Sequence, residues 1–398
     1  MQTKKLAFIL GIRPDVIRAA LILARLRSYE DVETVFIWSG QHYSDNLKDI
    51  FFRELGITPA EVNLGCEGTT DAELVASIIR RLYPVLRDLQ PMAAVFLGDT
   101  NTTTGAIAAA QLNIPIVHIE GGMRSYDWRM PEEKYRTITD HLADVIYAYV
   151  DEYKEQGVRE GLNPNNILVV GNPIVDILNY YYFSRKDRFD SLASAEFFSS
   201  RGIRKGGFYF MTCHRRENLN EKSIQAILSL IAEAERPVYF PAGYRTQREI
   251  SSLGLSPPSN LIMVDPIGYE ELLCLVVNSR GVITDSGTLV EEACVLGVPS
   301  VQMRKSTERP QVYDAGSSVK FDPAEPERYP AVDVFRKLEG LFGKRWSHNL
   351  GDGKASERIA FDLHRRIVEN DFAHHKPEQY HLPISRSFRN DGLEPHSN

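Results

Sequence analysis

The sequence predicts an α/β protein built from two doubly wound, Rossmann-like domains, and three observations carry that prediction. Short apolar runs alternate with longer amphipathic stretches, the pattern of a mostly parallel sheet covered by helices on both faces. The series halts at the turn-like Gly171-Asn172-Pro173 and begins again near Phe208. A chain of 398 residues, 43% hydrophobic and 25% charged, also exceeds the roughly 250 residues at which single cores stop growing.

In chain order the first set of runs is Leu6 to Leu10, Thr34 to Trp38, Ala93 to Leu97, Ile116 to Ile119, Val145 to Tyr149 and Ile167 to Val170. The second is Phe208 to Thr212, Val238 to Phe240, Leu261 to Val264, Gly281 to Thr284 and Ser300 to Met303. The expected boundaries are 1–171 for the first domain and 172–355 for the second, joined near 171–180. A helix at 356–373 is expected to pack back on the first domain, and 374–398, with three prolines and no periodicity, reads as a tail.

Bulk properties narrow the function. A formal net charge of -7 argues against non-specific binding to polyanions, so nucleic acid is not an expected partner. The N-terminal region offers only a five-residue apolar run before Gly11, and no later run approaches the ~20 residues of a membrane span. A cytoplasmic protein without a membrane partner is expected. Cys66, Cys213, Cys274 and Cys294 lack metal-ligand spacing, which predicts reduced core thiols rather than disulfides or a metal site.

Ligands of doubly wound sheets bind beyond the carboxyl ends of the strands, so the polar motifs there carry the chemistry. After the first run comes Gly11-Ile12-Arg13-Pro14-Asp15, where a helix N-terminus flanked by Arg13 and Arg18 can face an anion; a plain structural turn is the alternative. Ala93 to Leu97 ends in Gly98-Asp99, and Asp99 either faces a cleft or caps the next helix. Ile116 to Ile119 delivers Glu120, and Pro131-Glu132-Glu133 opens a helix, where first-turn carboxylates are ordinary. Three acidic positions at one sheet edge are harder to dismiss.

In the second half, His214 stands beside Arg215 and Arg216, a combination that calls for an anion or for carboxylates to balance it; plain surface exposure is the alternative. Asp285-Ser286-Gly287-Thr288 offers small residues whose backbone N–H groups can reach a pyrophosphate, and Glu292 one turn later can accept paired ribose hydroxyls. Arg309 lies in Thr307-Glu308-Arg309-Pro310, with solvent-exposed pairing to Glu308 as the ordinary account.

Together GIRPD, SGQH, GDTNTTT, HIEGGMRS, MPEEKYR, GNPIVD, CHRREN, DSGTLVEE and TERP occur in an order that resembles the non-hydrolysing UDP-N-acetylglucosamine 2-epimerase family. The resemblance implies a glycosyltransferase-B type fold with an inter-domain cleft, a UDP-sugar substrate, a homodimer, and no cofactor or metal. It implies that Asp99, Glu120 and Glu132 supply acid–base carboxylates, with His214 beside them. Arg13, Arg18, His214, Ser286, Gly287, Glu292 and Arg309 are then the UDP-binding residues. Gln41 and His42 are implied to sit at an activator site that bacterial members use for a second UDP-sugar.

Departures are specific. GTRPE is GIRPD here, the alanine of HVEAG is a glycine, the asparagine of PEE-x-NR is Tyr135, and a family histidine–proline pair is lost in Pro241-Ala242-Gly243-Tyr244. The implied reaction is reversible inversion of C2 in a UDP-2-acetamido sugar. The C2 proton is not acidic, because C1 is an acetal, so UDP is eliminated to a 2-acetamidoglucal and then re-added. A branch acting on 6-deoxy amino sugars shares these motifs. A hydrolysing relative, a retaining glycosyltransferase and a non-catalytic UDP-sugar-binding protein are the competing readings.

Overall fold

A computed structural model describes residues 4–40 and 54–372. Its first sheet contains β1 (Lys4–Leu10), β2 (Val32–Trp38), β3 (Val62–Asn63), β4 (Ala93–Leu97), β5 (Ile116–Ile119), β6 (Val145–Ala148) and β7 (Ile167–Val169). The second contains β8 (Tyr209–Thr212), β9 (Val238–Pro241), β10 (Leu261–Val264), β11 (Gly281–Thr284), β12 (Ser300–Met303) and β13 (Ser318–Phe321). All pairings are parallel, in the orders β3-β2-β1-β4-β5-β6-β7 and β10-β9-β8-β11-β12-β13. Each sheet therefore reverses its strand order once, between β1 and β4 and between β8 and β11, and these reversals are where doubly wound folds place ligands.

The unbroken apolar runs are explained by burial on both faces of each sheet. In β1, Leu6, Phe8 and Leu10 enter one core cluster while Ala7 and Ile9 enter another. In the second sheet, Tyr209 and Met211 face one cluster and Phe210 the opposite one. This strict alternation fixes the strand register, since a one-residue slip would exchange the two faces.

Two strands escaped the sequence reading. β3 is a two-residue edge strand, and β13 (Ser318-Val319-Lys320-Phe321) alternates in burial as edge strands do. Ala93 to Leu97 is consequently the fourth strand rather than the third.

The chain passes between the halves twice. Gly171 sits at φ +93°, beside Gly351 on the return pass, and Asn172 N–H donates to the Leu350 carbonyl at 2.7 Å. Helix Pro173–Tyr181 follows, capped by the Asn172 side chain at Ile174 N–H. Its Asp176 carboxylate accepts the N–H groups of Ala355 (3.2 Å) and Ser356 (2.7 Å), satisfying the exposed donors that open helix Ala355–Glu369. That last helix packs on helix Arg13–Leu26, buries Ile359, Leu363 and Ile367 in the first-sheet core, and binds Tyr147 OH through Asp362 at 2.8 Å. All four cysteines are buried and unpaired.

Candidate active site

The loops after β1, β4 and β5 bring Arg13, Asp99 and Glu120 to the carboxyl edge of the first sheet. Glu120 has φ +80°, a left-handed backbone that costs a non-glycine residue roughly 1 kcal/mol or more and is held only where the surroundings enforce it. Here they do. The buried carboxylate pairs with Arg18, accepts Tyr149 OH at 3.0 Å, and meets Arg309 of the second half at 3.2 Å.

Asp99 does not cap the following helix; it pairs with the buried guanidinium of Arg136. Burial pushes its pKa up, but Arg136, with Arg309 and Arg215, more than offsets this and holds the carboxyl below its ordinary value. Glu132 shows the opposite balance. Burial raises its pKa, Asp99 adds repulsion, and Arg215 only partly opposes them; among the described residues Glu132 forms no ion pair. Two carboxyls driven in opposite directions are the arrangement that lets one remain a base while the other carries a proton.

Glu133, next in sequence, does something different. It accepts the N–H groups of Ser125 (3.0 Å) and Tyr126 (2.7 Å), the Ser125 hydroxyl (2.9 Å), and Arg136 (2.9 Å). It thus pins the loop after Glu120 and holds Arg136 against Asp99. Beneath that loop, Asp140 takes His118 Nδ1 at 2.6 Å, Gly122 N–H at 3.0 Å and Arg124 at 2.7 Å, and His118 Nε2 meets the Gly98 carbonyl. Asp140 is held at about 2, its burial outweighed by His118 and Arg124.

From the second half, Arg309 is buried rather than solvent-exposed, contacting Glu120, Glu291 (3.2 Å) and Glu308. The ordinary account of its loop is therefore overturned. Glu308 also pairs with Arg304 at 2.7 Å and Arg215 at 3.4 Å, and these cations outweigh burial to keep it well below the carboxylate range. Gly287 makes room for this arrangement. A Cβ there would lie 2.3 Å from Arg309 Nη1.

A cleft of about 270 Å³ lies beside this charged cluster, lined by Arg13, His214, Ser286, Tyr269, Tyr244 and Glu292, with Pro241, Pro266, Ile267 and Leu272 completing an apolar end. His214 is exposed into it and is oriented by Asp285, which accepts the N–H groups of His214 (3.0 Å) and Arg215 (2.9 Å). Arg13 reaches across to the Ile267 carbonyl at 3.2 Å. Ser286 caps helix Gly287–Leu296 through Leu289 N–H. Glu292 accepts Tyr269 OH at 2.7 Å, and burial pushes it up to about 7.

Most of the residues singled out in the sequence thus converge. Three of the UDP candidates do not line the cleft: Arg18 is buried between Asp15 and Glu120, and Gly287 and Arg309 are buried in the charged cluster beside it. Gln41 and His42 lie outside the described residues. The sequence reading missed Arg136, Glu308, Asp285 and Tyr269 as members of the site. The available signals were the three-residue spacing of Glu133 and Arg136, which places them on one helix face, and the occurrence of Asp285 and Glu308 inside motifs already noted.

Two doubly wound sheets, one edged with carboxylates and the other with a cleft of about 270 Å³, define a two-domain α/β protein of the glycosyltransferase-B type. The chain belongs to the UDP-N-acetylglucosamine 2-epimerase family, whose family model matches residues 24–364. It is 31% identical over 366 residues to the UDP-N-acetylglucosamine 2-epimerase of Methanocaldococcus jannaschii, covering 89% of this chain and 97% of the relative. It is 32% identical over 365 residues to the UDP-2,3-diacetamido-2,3-dideoxy-D-glucuronate 2-epimerase of Pseudomonas aeruginosa, covering 89% and 98%. Among solved structures, the M. jannaschii enzyme in complex with UDP-GlcNAc and UDP superposes with a TM-score of 0.79 at 30% identity, over 91% of this chain and 99% of that one. The Neisseria meningitidis enzyme bound to UDP-GlcNAc gives 0.76 at 26% identity, over 91% and 100%.

Proposed function

We propose that this chain reversibly inverts C2 of a UDP-2-acetamido sugar, with UDP-N-acetylglucosamine going to UDP-N-acetylmannosamine as the first substrate to test. One observation carries the reading: Asp99, Glu120 and Glu132 gather at the switch point of the first sheet, and Glu120 touches Arg309 of the half that bears the nucleotide cleft. In the proposed route a carboxylate takes the C2 proton while the C1–O bond breaks and its electron pair leaves with UDP, forming the C1=C2 bond of a 2-acetamidoglucal. A proton then reaches C2 on the opposite face as a UDP oxygen re-forms the bond to C1. Asp99, kept ionised, suits the base, and Glu132, held toward the protonated form, suits the acid; the two exchange roles in the reverse direction.

The departing diphosphate needs cations and N–H donors placed in advance. Arg13, His214 and the N-terminus of the helix that Ser286 and Gly287 open are assigned that task, with Arg309 at the junction between nucleotide and sugar. Glu292 is assigned the ribose hydroxyls, and Arg18 the orientation of Glu120. The reading includes a cytoplasmic homodimer, which light scattering and fractionation test.

Proton NMR of the purified protein with UDP-N-acetylglucosamine in deuterium oxide tests the reaction. Formation of the manno epimer carrying deuterium at C2 is the expected result. Accumulation of UDP with free N-acetylmannosamine would assign the chain to the hydrolysing class. Because the P. aeruginosa relative, named for a diacetamido glucuronate, is as similar as the archaeal one, the same assay on sugars altered at C3 and C6 decides the substituents. No exchange with any member of that panel would refute the proposal.

A further inference from the structure

The segment after β8 reaches the rest of the site with three consecutive side chains, a histidine and two arginines. His214 enters the nucleotide cleft, Arg215 binds Glu308, and Arg216, at the start of the short turn Arg216–Asn218, crosses to the first half. There both terminal guanidinium nitrogens of Arg216 meet the carboxylate of Asp71, one of them at 2.5 Å. Asp71 is the first residue of helix Asp71–Leu89, a position that independently favours a carboxylate. The link continues inward. Asn101 Nδ2 donates to Asp71 Oδ1 at 3.5 Å and to Tyr135 OH at 3.4 Å, and Tyr135 lies on helix Pro131–Leu142, which also carries Glu132 and Arg136.

We propose that Asp71 and Arg216 form a clasp across the cleft whose task is to keep the two halves together between elimination and re-addition. Both are positioning residues: they touch no reacting atom, and neither lines the nucleotide cleft. The proposal rests on the functional reading above and adds to it a chemical demand. Once the C1–O bond is broken, UDP and the neutral glucal are two separate molecules. Only a cleft that stays shut returns them to each other instead of to solvent. The geometry suits that task, because a planar guanidinium meeting both carboxylate oxygens fixes orientation as well as distance. The link through Asn101 and Tyr135 also ties opening of the clasp to the helix that holds Glu132.

The size of the effect is bounded. Arg216 is about half exposed and Asp71 one quarter, and an exposed pair shifts a closed-to-open equilibrium by no more than about fivefold. Leakage is the sensitive readout, since it counts openings during the life of the intermediate.

The test follows the full-length protein acting on UDP-N-acetylglucosamine, using proton and phosphorus NMR to measure free UDP plus 2-acetamidoglucal against epimerised product. Asp71→Asn and Arg216→Gln are each expected to raise that ratio by about two- to fivefold, with a smaller loss of kcat. The double variant is expected to leak no more than the worse single one, because the same contact is being removed. An unchanged ratio in both single variants, or multiplicative effects in the double, overturns the clasp. If the wild-type protein exchanges no C2 hydrogen, the functional reading falls and the clasp with it. If it epimerises normally and the variants leak no more, the clasp alone falls.

Discussion

Replacing Gly287 with alanine should inactivate the site while leaving the fold and the helix intact. The backbone there lies outside the left-handed region, since Gly287 is absent from the positive-φ glycines, and it opens a helix in which alanine is favoured over glycine by about 1 kcal/mol. Steric conflict is the one thing the methyl adds: its carbon would sit 2.3 Å from Arg309 Nη1, 2.6 Å from Cζ and 3.0 Å from Nε. Relief to an ordinary contact moves the guanidinium by about 1 Å, and a misplacement of that size in a reacting site reduces rate by about 10²-fold. Arg309 has little room to yield, being tied to Glu120, Glu291 and Glu308. We therefore expect kcat for C2 deuterium exchange to fall about 10²-fold, with UDP affinity much less affected because the backbone N–H groups remain. Overpacking sets a stability loss of about 1–3 kcal/mol, visible as a lower Tm. A variant with wild-type kcat, or one that loses UDP binding without losing kcat, would refute this reasoning.

Other outcomes follow from the same geometry. Glu132→Gln should lower C2 exchange by about 10²- to 10⁴-fold while leaving UDP binding by calorimetry intact. Asp140→Asn removes the buried partner of Arg124 and His118 and should destabilise the fold by about 3–5 kcal/mol, read in a denaturant titration. Glu292, pushed up to about 7 by burial, gives a pH signature. Its folded value lies above the unfolded one, so the folded state holds the proton more tightly. The penalty for ionising it is absent below the unfolded carboxylate range and grows with pH until about 7. UDP affinity should therefore strengthen from pH 6 to 8, as the carboxylate able to accept two ribose hydroxyls forms. Glu292→Gln should flatten that dependence and weaken binding.

Adjacent residues show where sequence reading succeeds and where it stops. The apolar runs, the strand-end motifs and the restart of the series near Phe208 were readable because strands buried on both faces leave continuous hydrophobic stretches. β3 and β13 were not, since β3 has only two residues and β13 alternates polar with apolar positions, so neither carries the apolar run that made the edge strands β7 and β10 readable. Glu132 and Glu133 look equivalent as first-turn carboxylates. One helical step of 100° separates them, and that turns Glu133 inward to Ser125, Tyr126 and Arg136 while Glu132 has no ion partner among the described residues. Glu291 and Glu292 divide in the same way, toward Arg309 and toward Tyr269. Arg18, grouped with Arg13 by sequence, belongs to Glu120 instead.

The sequence by itself determined the order of elements, the two-sheet architecture and the kinds of side chain delivered to each strand end, because these depend on local periodicity and turn chemistry. Only the tertiary structure decided which carboxylates are paired, which are driven toward protonation, and which cations reach across the cleft. Those outcomes are set by burial and by charges 189 and 145 residues apart in the chain, Glu120 with Arg309 and Asp71 with Arg216, and no local pattern in the chain encodes such distances.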